Sequence, residues 1–358
     1  MPIWTESMQH SYEYFLVDPA TWGDMKPLDT VTQSSIDRDG DTETLGSASF
    51  DVTTTVDEGY VRTYLKTIQN GVTERHPLGT HLVQTPSLNF DGIIKSMTMD
   101  GYTPLLELKE KMPPVGYYIP KGQNALLLAY QLTRENARAP VIKPTDLTNP
   151  KHILSYDFIA DTDDTWLSYL RDLLSDISYE YILDEMGRIG FAPKQTLTAL
   201  QPVWTYNDDN SSILYPSVTI SRDLFGVPNV VEIIYSKDNK TLYSIVKNEE
   251  KSSPVSIQNR GREIKQRITN PELPGGEPSQ DQLDRFAKEV LKELSAIEYT
   301  VSYTHGYCPV RIGDCVRLNY SRAELNNVKA KVISQSIGCT PGCSVTETAV
   351  FTANLWKG

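Results

Sequence analysis

Between Trp166 and Pro193 the chain reads WLSYLRDLLSDISYEYILDEMGRIGFAP, an amphipathic helix that runs directly into a β-hairpin. Leu167, Leu170, Leu173, Leu174 and Ile177 recur at helical spacing, and Asp163 or Thr165 stands where an N-cap is needed. Tyr179–Leu183 then alternates like a strand, Asp184–Gly187 supplies turn residues, and Arg188–Pro193 returns as the second strand. The stretch holds no nucleophile with a base, no metal-ligand pair and no phosphate loop. Its chemistry is that of a structural module.

On its N-terminal side lies a second helical pattern over 123–138, ended by Pro140, then a Pro-containing connection and a strand around Ile153–Ile159. Further upstream the chain reads as strands: Ser11–Val17, Leu45–Val52, Tyr60–Ile68 and His76–Val83, with Asn70-Gly71 as a hairpin turn that permits positive φ. Downstream, Asn229–Tyr235 is strongly β and Asp238–Lys240 is its turn. A loop covers Pro271–Pro278. Ser279 then caps a helix over 281–295, striped by Leu283, Phe286, Val290, Leu291 and Leu294. Tyr299–Tyr303, Cys315–Tyr320, Ala330–Ile337 and Glu347–Ala353 complete the strands. The fold class is β-rich α+β, in three sections: 1–108, mostly strand; 109–202, an α+β insert with helices 123–138 and 165–178; and 203–358, strand-rich with helix 281–295.

The 358 residues suffice for two or three domains. Charged residues at 22% and hydrophobic ones at 39% are a globular composition. Apolar runs such as Ala125–Tyr130 fall far short of the roughly 20 residues a membrane helix needs, so no stable membrane insertion is expected. The start of the chain lacks a signal peptide's basic and apolar regions, which makes a soluble, cytoplasmically made protein the expectation. A net charge of −12 argues against general nucleic-acid binding, which requires clustered Lys and Arg. Basic residues do concentrate at Asn259–Arg267, read as a solvated strand and loop.

Candidate chemistry is sparse. Cys308, Cys315, Cys339 and Cys343 are the weak metal candidates, because Cys339-x3-Cys343 has zinc-like spacing while Cys308-x6-Cys315 is loose. Buried thiols are the favoured reading, and a cytoplasmic origin disfavours disulfides. Asp37, Asp39 and Asp41 fail the EF-hand pattern, with Gly40 at the fourth position and Ala48 at the twelfth. The five His residues accompany no HExxH, GxSxG, Walker or GxGxxG sequence. Neither an enzyme nor a cofactor is expected.

With these pieces in order, the chain resembles the tail hub family of tailed phages and related contractile injection systems. Hub proteins place a helix before a hairpin of the form D-x-x-G-x-I-x-F-x-P, matched here by Asp184, Gly187, Ile189, Phe191 and Pro193. The glycine that precedes the family's first strand is absent, since Ser178 and Tyr179 stand there. A "PN-V-V-E-V-x-Y" strand is matched by Pro228–Tyr235. The closing "P-x-I/V-G-D-x-V-x-L" is matched by Pro309–Leu318, with one extra residue before Ile312-Gly313-Asp314.

What the resemblance implies is two tail-tube-like β-barrels joined by the α+β insert. The subunit would be a homotrimer forming a pseudo-sixfold ring that adapts the hexameric tail tube to a trimeric spike or tail tip. Its partners would be the tail tube or distal tail protein, the spike or tip protein, the tape measure protein, and DNA passing through without sequence recognition. Its place would be the virion tail or baseplate, assembled in the host cytoplasm. Interface strands, not catalytic groups, would then carry function: Val231, Ile233 and Tyr235, with Asp314 and Val316 in the last barrel. The alternative is a tail-associated cell-wall hydrolase, against which the chain's end at Gly358, directly after the last strand, is expected to leave no lytic domain. A glycan-binding adhesin using Trp4, Trp22, Trp166, Trp204 and Trp356 is a third reading, and scattered aromatics are more often core.

Overall fold

The first hundred residues form seven strands: β1 Gln9–Val17, β2 Asp24–Pro27, β3 Val31–Asp39, β4 Gly46–Val52, β5 Gly59–Gln69, β6 Val72–Phe90 and β7 Lys95–Tyr102. β4 alternates strictly, with Gly46, Ala48, Phe50 and Val52 buried and the residues between them less so. The Asn70-Gly71 turn between β5 and β6 has positive φ at both residues, as the sequence predicts. The computed structural model describes residues 2–54, 56–90, 92–93, 95–237, 240–272 and 279–358.

A helical region follows. Its elements are α1 Leu106–Lys109, a two-residue pair of β8 Tyr118–Ile119 with β9 Phe158–Ile159, α2 Ala125–Asn136, α3 Trp166–Asp176, and the hairpin of β10 Tyr179–Leu183 and β11 Ile189–Pro193. Asn124 caps α2 by accepting from Leu127 N at 2.9 Å. Thr165, not Asp163, caps α3, in a capping box with Ser168. The strand expected around Ile153–Ile159 reduces to β9, because Pro150 starts a 3-10 turn over Pro150–His152. Leu167, Leu170, Leu173 and Leu174 are fully buried against Leu105, Leu108, Leu126, Ala129 and Ile189. At roughly 1.5–3 kcal/mol per buried leucine, this stripe dominates the local energetics.

The chain continues through β12 Pro202–Asn207 and β13 Leu214–Arg222 into β14 Val230–Lys237, β15 Lys240–Lys247, α4 Ile257–Arg260, β16 Lys265–Thr269 and α5 Gln280–Leu294. It ends in β17 Ala296–Gly306, β18 Cys315–Tyr320, β19 Leu325–Cys339 and β20 Ser344–Asn354. Asp238, Asn239 and residues 273–278, where a turn and most of a loop were expected, lie outside the described residues.

Two compact units result: Met1–Val218 with Tyr303–Ala349, and Thr219–Ser302 with Val350–Gly358. These units group the chain differently from the sections expected at 1–108, 109–202 and 203–358. The reason is the ladder between β3 and β19, Ser334↔Asp39 through Cys339↔Ser34, which binds the first and last stretches into one sheet. That sheet runs β13-β17-β20-β19-β3-β4-β7-β6-β5-β1-β2, with β18 pairing β19 and β12. No local pattern announces a pairing across some three hundred residues. In the second unit, β14 lies between antiparallel β15 and parallel β16, under α5. No helix among the described residues is long and apolar enough to cross a membrane.

Candidate functional site: the hairpin seat and the interface strands

The β10–β11 turn is seated on the β-sheet of its own unit. Trp22 Nε1 donates to Met186 O at 2.7 Å, and Arg62 donates to the same carbonyl at 3.2 Å. Thr80 Oγ1 donates to Glu185 O at 3.3 Å. Arg62 is almost wholly buried and is held by Thr80 Oγ1 at 2.9 Å and the Asp24 carboxylate at 2.7 Å. Such a charge is tolerable in the interior only because its donors are matched. Gly187 adopts φ +73°, and a Cβ there would lie 2.7 Å from Thr80 Cβ. The glycine of the D-x-x-G turn is thus required both by backbone conformation and by its closeness to the sheet.

Beside this seat is a cleft of about 510 Å3, lined by Arg38, His81, Glu185, Arg311, Asp314 and Lys331 among others. The Glu185 carboxylate sits between Arg311 at 2.6 Å and Arg38 at 3.5 Å. Burial, with the Arg38 charge, holds His81 down to about 3, so it is neutral. Asp314 accepts from Arg311 N at 2.9 Å, and burial raises its carboxyl above the usual range.

The structure brings together a second group that the sequence did not single out. His305 and Glu347, both fully buried, approach to 3.3 Å. Tyr303 and Tyr206 donate to Glu347 Oε2 at 2.8 and 3.1 Å, and Gln335 Nε2 donates to Oε1 at 2.5 Å. Burial alone would depress the His305 pKa, but Cys308 and Glu347 outweigh it and push it up to about 10. Glu347 is lowered despite its burial, because His305 and Gln335 stabilise the carboxylate. The group is a closed, charge-balanced knot with its polar atoms matched to one another.

Cys308 belongs to this knot, with Sγ 3.3 Å from Tyr206 Oη and 3.9 Å from His305 Nδ1. Cys315 is buried in β18, while Cys339 and Cys343 share a different core with Tyr14, Ile36 and Phe50. Burial pushes the last two thiols up to about 12 and about 11. The four cysteines are free, and among the described residues no group of three or more His, Cys, Asp or Glu side chains is arranged to hold a metal.

Most of the expected interface residues are buried within their own chain. Val231, Ile233 and Tyr235 are buried against Leu283, Ala287 and Leu291 of α5 and against Trp356. The helix of their own chain covers that face. Val316 is likewise fully buried, and of the set only Asp314 lines an open cleft. Trp22, Trp166 and Trp356 are buried, and Trp4 and Trp204 are half-buried, so no exposed tryptophan platform exists.

No protein-family model and no curated protein matches the sequence. Solved structures do match. A tail protein from Neisseria meningitidis superposes with a TM-score of 0.58 at 12% identity, over 97% of this chain and 98% of that one. The 43 kDa tail protein of prophage MuSo2 from Shewanella oneidensis gives 0.58 and 12%, over 96% and 98%. The chain has the fold of these tail proteins. At such identity the likeness lies in how strands and helices are arranged, and it runs from end to end of all three chains.

Sequence reasoning found the hairpin but not its seat. Trp22, Arg62 and Thr80 carry no motif, and the one available signal was Gly187, a turn glycine whose need for close approach is legible only once its neighbour is known. His305 and Glu347 were seen only as one of five histidines and one of many carboxylates.

Proposed function

We propose that this chain is a structural tail protein, the hub subunit that assembles as a homotrimer and adapts a sixfold tail tube to a threefold spike or tail tip. The single observation supporting this reading is the end-to-end fold match with two tail proteins, nearly complete in both directions. In this reading the strand-rich parts form two tube-like barrels per subunit, and a ring of three subunits encloses part of the channel through which DNA leaves. Neighbours along the axis are the tail tube or distal tail protein on one side and the spike or tip on the other, with the tape measure protein ending at the ring. Cyclic symmetry makes the contact between subunits heterologous and ring-closing.

The test is native mass together with negative-stain electron microscopy of the purified chain. Particles of three chains with an open centre are the expected result. A protein that stays monomeric at micromolar concentration and clears host cell walls would replace the hub by the hydrolase.

A further inference from the structure

The net charge of this protein is distributed unevenly. Residues 219–302 and 350–358 contain 13 Lys and Arg against 13 Asp and Glu, so the second unit is neutral. The remaining residues hold 21 against 33, so the whole −12 belongs to the first unit. Three of the neutral unit's basic residues, Lys247, Lys265 and Arg267, share one sheet face. The β14–β15–β16 register sets Glu232, Ile245 and Arg267 in one row and Ile234, Tyr243 and Thr269 in the next, on the side opposite Val231, Ile233 and Tyr235. This second side is not covered as the first is: Tyr243 is 48% and Ile245 39% exposed. Around them stand Lys247, Lys265 and Arg267, with side chains 38%, 36% and 60% exposed. Glu232 is shut in beneath Tyr243 Oη at 2.7 Å, Arg267 Nε at 2.7 Å and Lys265 Nζ at 3.7 Å. The result is an apolar centre with a rim of three cations against two carboxylates, Glu232 and Glu263.

We propose that this face of the β14–β15–β16 sheet docks a second copy of the chain, which meets it with the acidic surface of its Met1–Val218 and Tyr303–Ala349 unit. The inference rests on the homotrimer reading above and names one surface for it. Charge complementarity selects the partner, since every copy carries both the basic face and the acidic excess that matches it. A nucleic-acid partner fits less well. Phosphate backbones reward uninterrupted cations, whereas here Glu232 and Glu263 are interleaved and the centre is Tyr243 and Ile245, the apolar-core and polar-rim pattern of protein interfaces.

The experiment places a photo-crosslinking benzophenone amino acid at Ile245 in the full chain, reads native mass in parallel, and supplies a short DNA duplex as competitor. A crosslink between two chains is expected, mapping to residues within 1–218 or 303–349 of the second chain. It should fall about tenfold in about 1 M NaCl, where charges are screened beyond roughly 3 Å. A Lys247→Gln, Lys265→Gln double variant, with its fold checked by circular dichroism, should lower it similarly. A protein of three chains whose Ile245 position gives no interchain crosslink, or one indifferent to both salt and the double variant, overturns this surface and leaves the trimer standing. A protein monomeric at micromolar concentration overturns both. Crosslinking to the duplex in preference to a second chain transfers the face to nucleic acid.

Discussion

The second unit is built on an apolar centre, whereas the first holds, beside its own apolar cores, a polar one. In the second, Val231, Ile233 and Tyr235 of β14 meet Leu283, Ala287 and Leu291 of α5, and the contact is apolar throughout. In the first, Tyr206, Tyr303, His305, Gln335 and Glu347 put a charged pair and its hydrogen-bond partners at a position with no solvent access. An apolar centre is specified by shape and volume and tolerates exchange of similar residues. A polar one is specified by complete matching, so it discriminates among arrangements but is left with an uncompensated charge if any member is lost.

The largest expected effect tests that asymmetry directly. His305→Ala leaves the Glu347 carboxylate buried without its counter-charge, and unfolding by urea should show a loss of about 3–5 kcal/mol. The wild type should also be pH-sensitive. His305 has a folded pKa raised from the ordinary 6.5 to about 10, so its contribution is complete below about pH 6.5 and disappears as pH rises through about 10. Glu347 has the opposite sign: lowered in the folded state, it contributes above the usual carboxylate pKa of 4.5 and is lost on acidification. Stability between pH 6.5 and 10 should therefore fall in the wild type and flatten in His305→Gln. Parallel curves for the two proteins would show that the pair is not the titrating element.

The second unit should lose less, and without the pH signature. Leu291→Ala in α5 is expected to cost about 2–4 kcal/mol, set by the cavity left against β14. Hydrogen exchange should show the β14 amides losing protection to the same extent at pH 7 and pH 9, once intrinsic exchange rates are divided out. A strongly pH-dependent loss would mean that ionic groups near Glu232 govern this core after all.

Gly187→Ala comes next, at about 1–3 kcal/mol. Alanine is strained at φ +73°, and its methyl would press on Thr80. A melting temperature within a degree of wild type would show that the turn lifts off its seat without penalty, and that the hydrogen bonds from Trp22, Arg62 and Thr80 add little to stability.

How much of this was legible in the sequence follows from the same contrast. Helices α2, α3 and α5 were read to within about two residues, because leucine spacing and cap residues are local signals. The β14 strand was recognised too, and its alternation named two faces, but the sequence could not say which face α5 would cover. That choice depends on helix placement, which puts Val231, Ile233 and Tyr235 under α5. The β3–β19 ladder and the His305–Glu347 knot were invisible for another reason. Their members are separated by tens to hundreds of residues and are ordinary in type. Only topology, not periodicity, makes them neighbours.

The smallest effects compare one device in both units. Thr165 caps α3 and Ser279 caps α5, each accepting from the third helical N–H and each answered by a side chain at that position, Ser168 and Gln282. Either change to alanine should cost about 1 kcal/mol. The two should nevertheless differ. The Thr165 bond to Ser168 N, at 3.1 Å, is partly buried, whereas the Ser279 bond to Gln282 N, at 3.3 Å, is exposed. Water can replace the lost acceptor at Ser279 more readily than at Thr165, where the freed N–H remains largely without a partner. Thr165→Ala should therefore fall toward the upper end of the capping range and Ser279→Ala below about 1 kcal/mol, both read from urea midpoints at an unchanged m-value. Equal losses would mean that solvent reaches the start of α3 as freely as the start of α5. The packing of Trp166 and Leu167 beside that cap would then be looser than their near-complete burial implies.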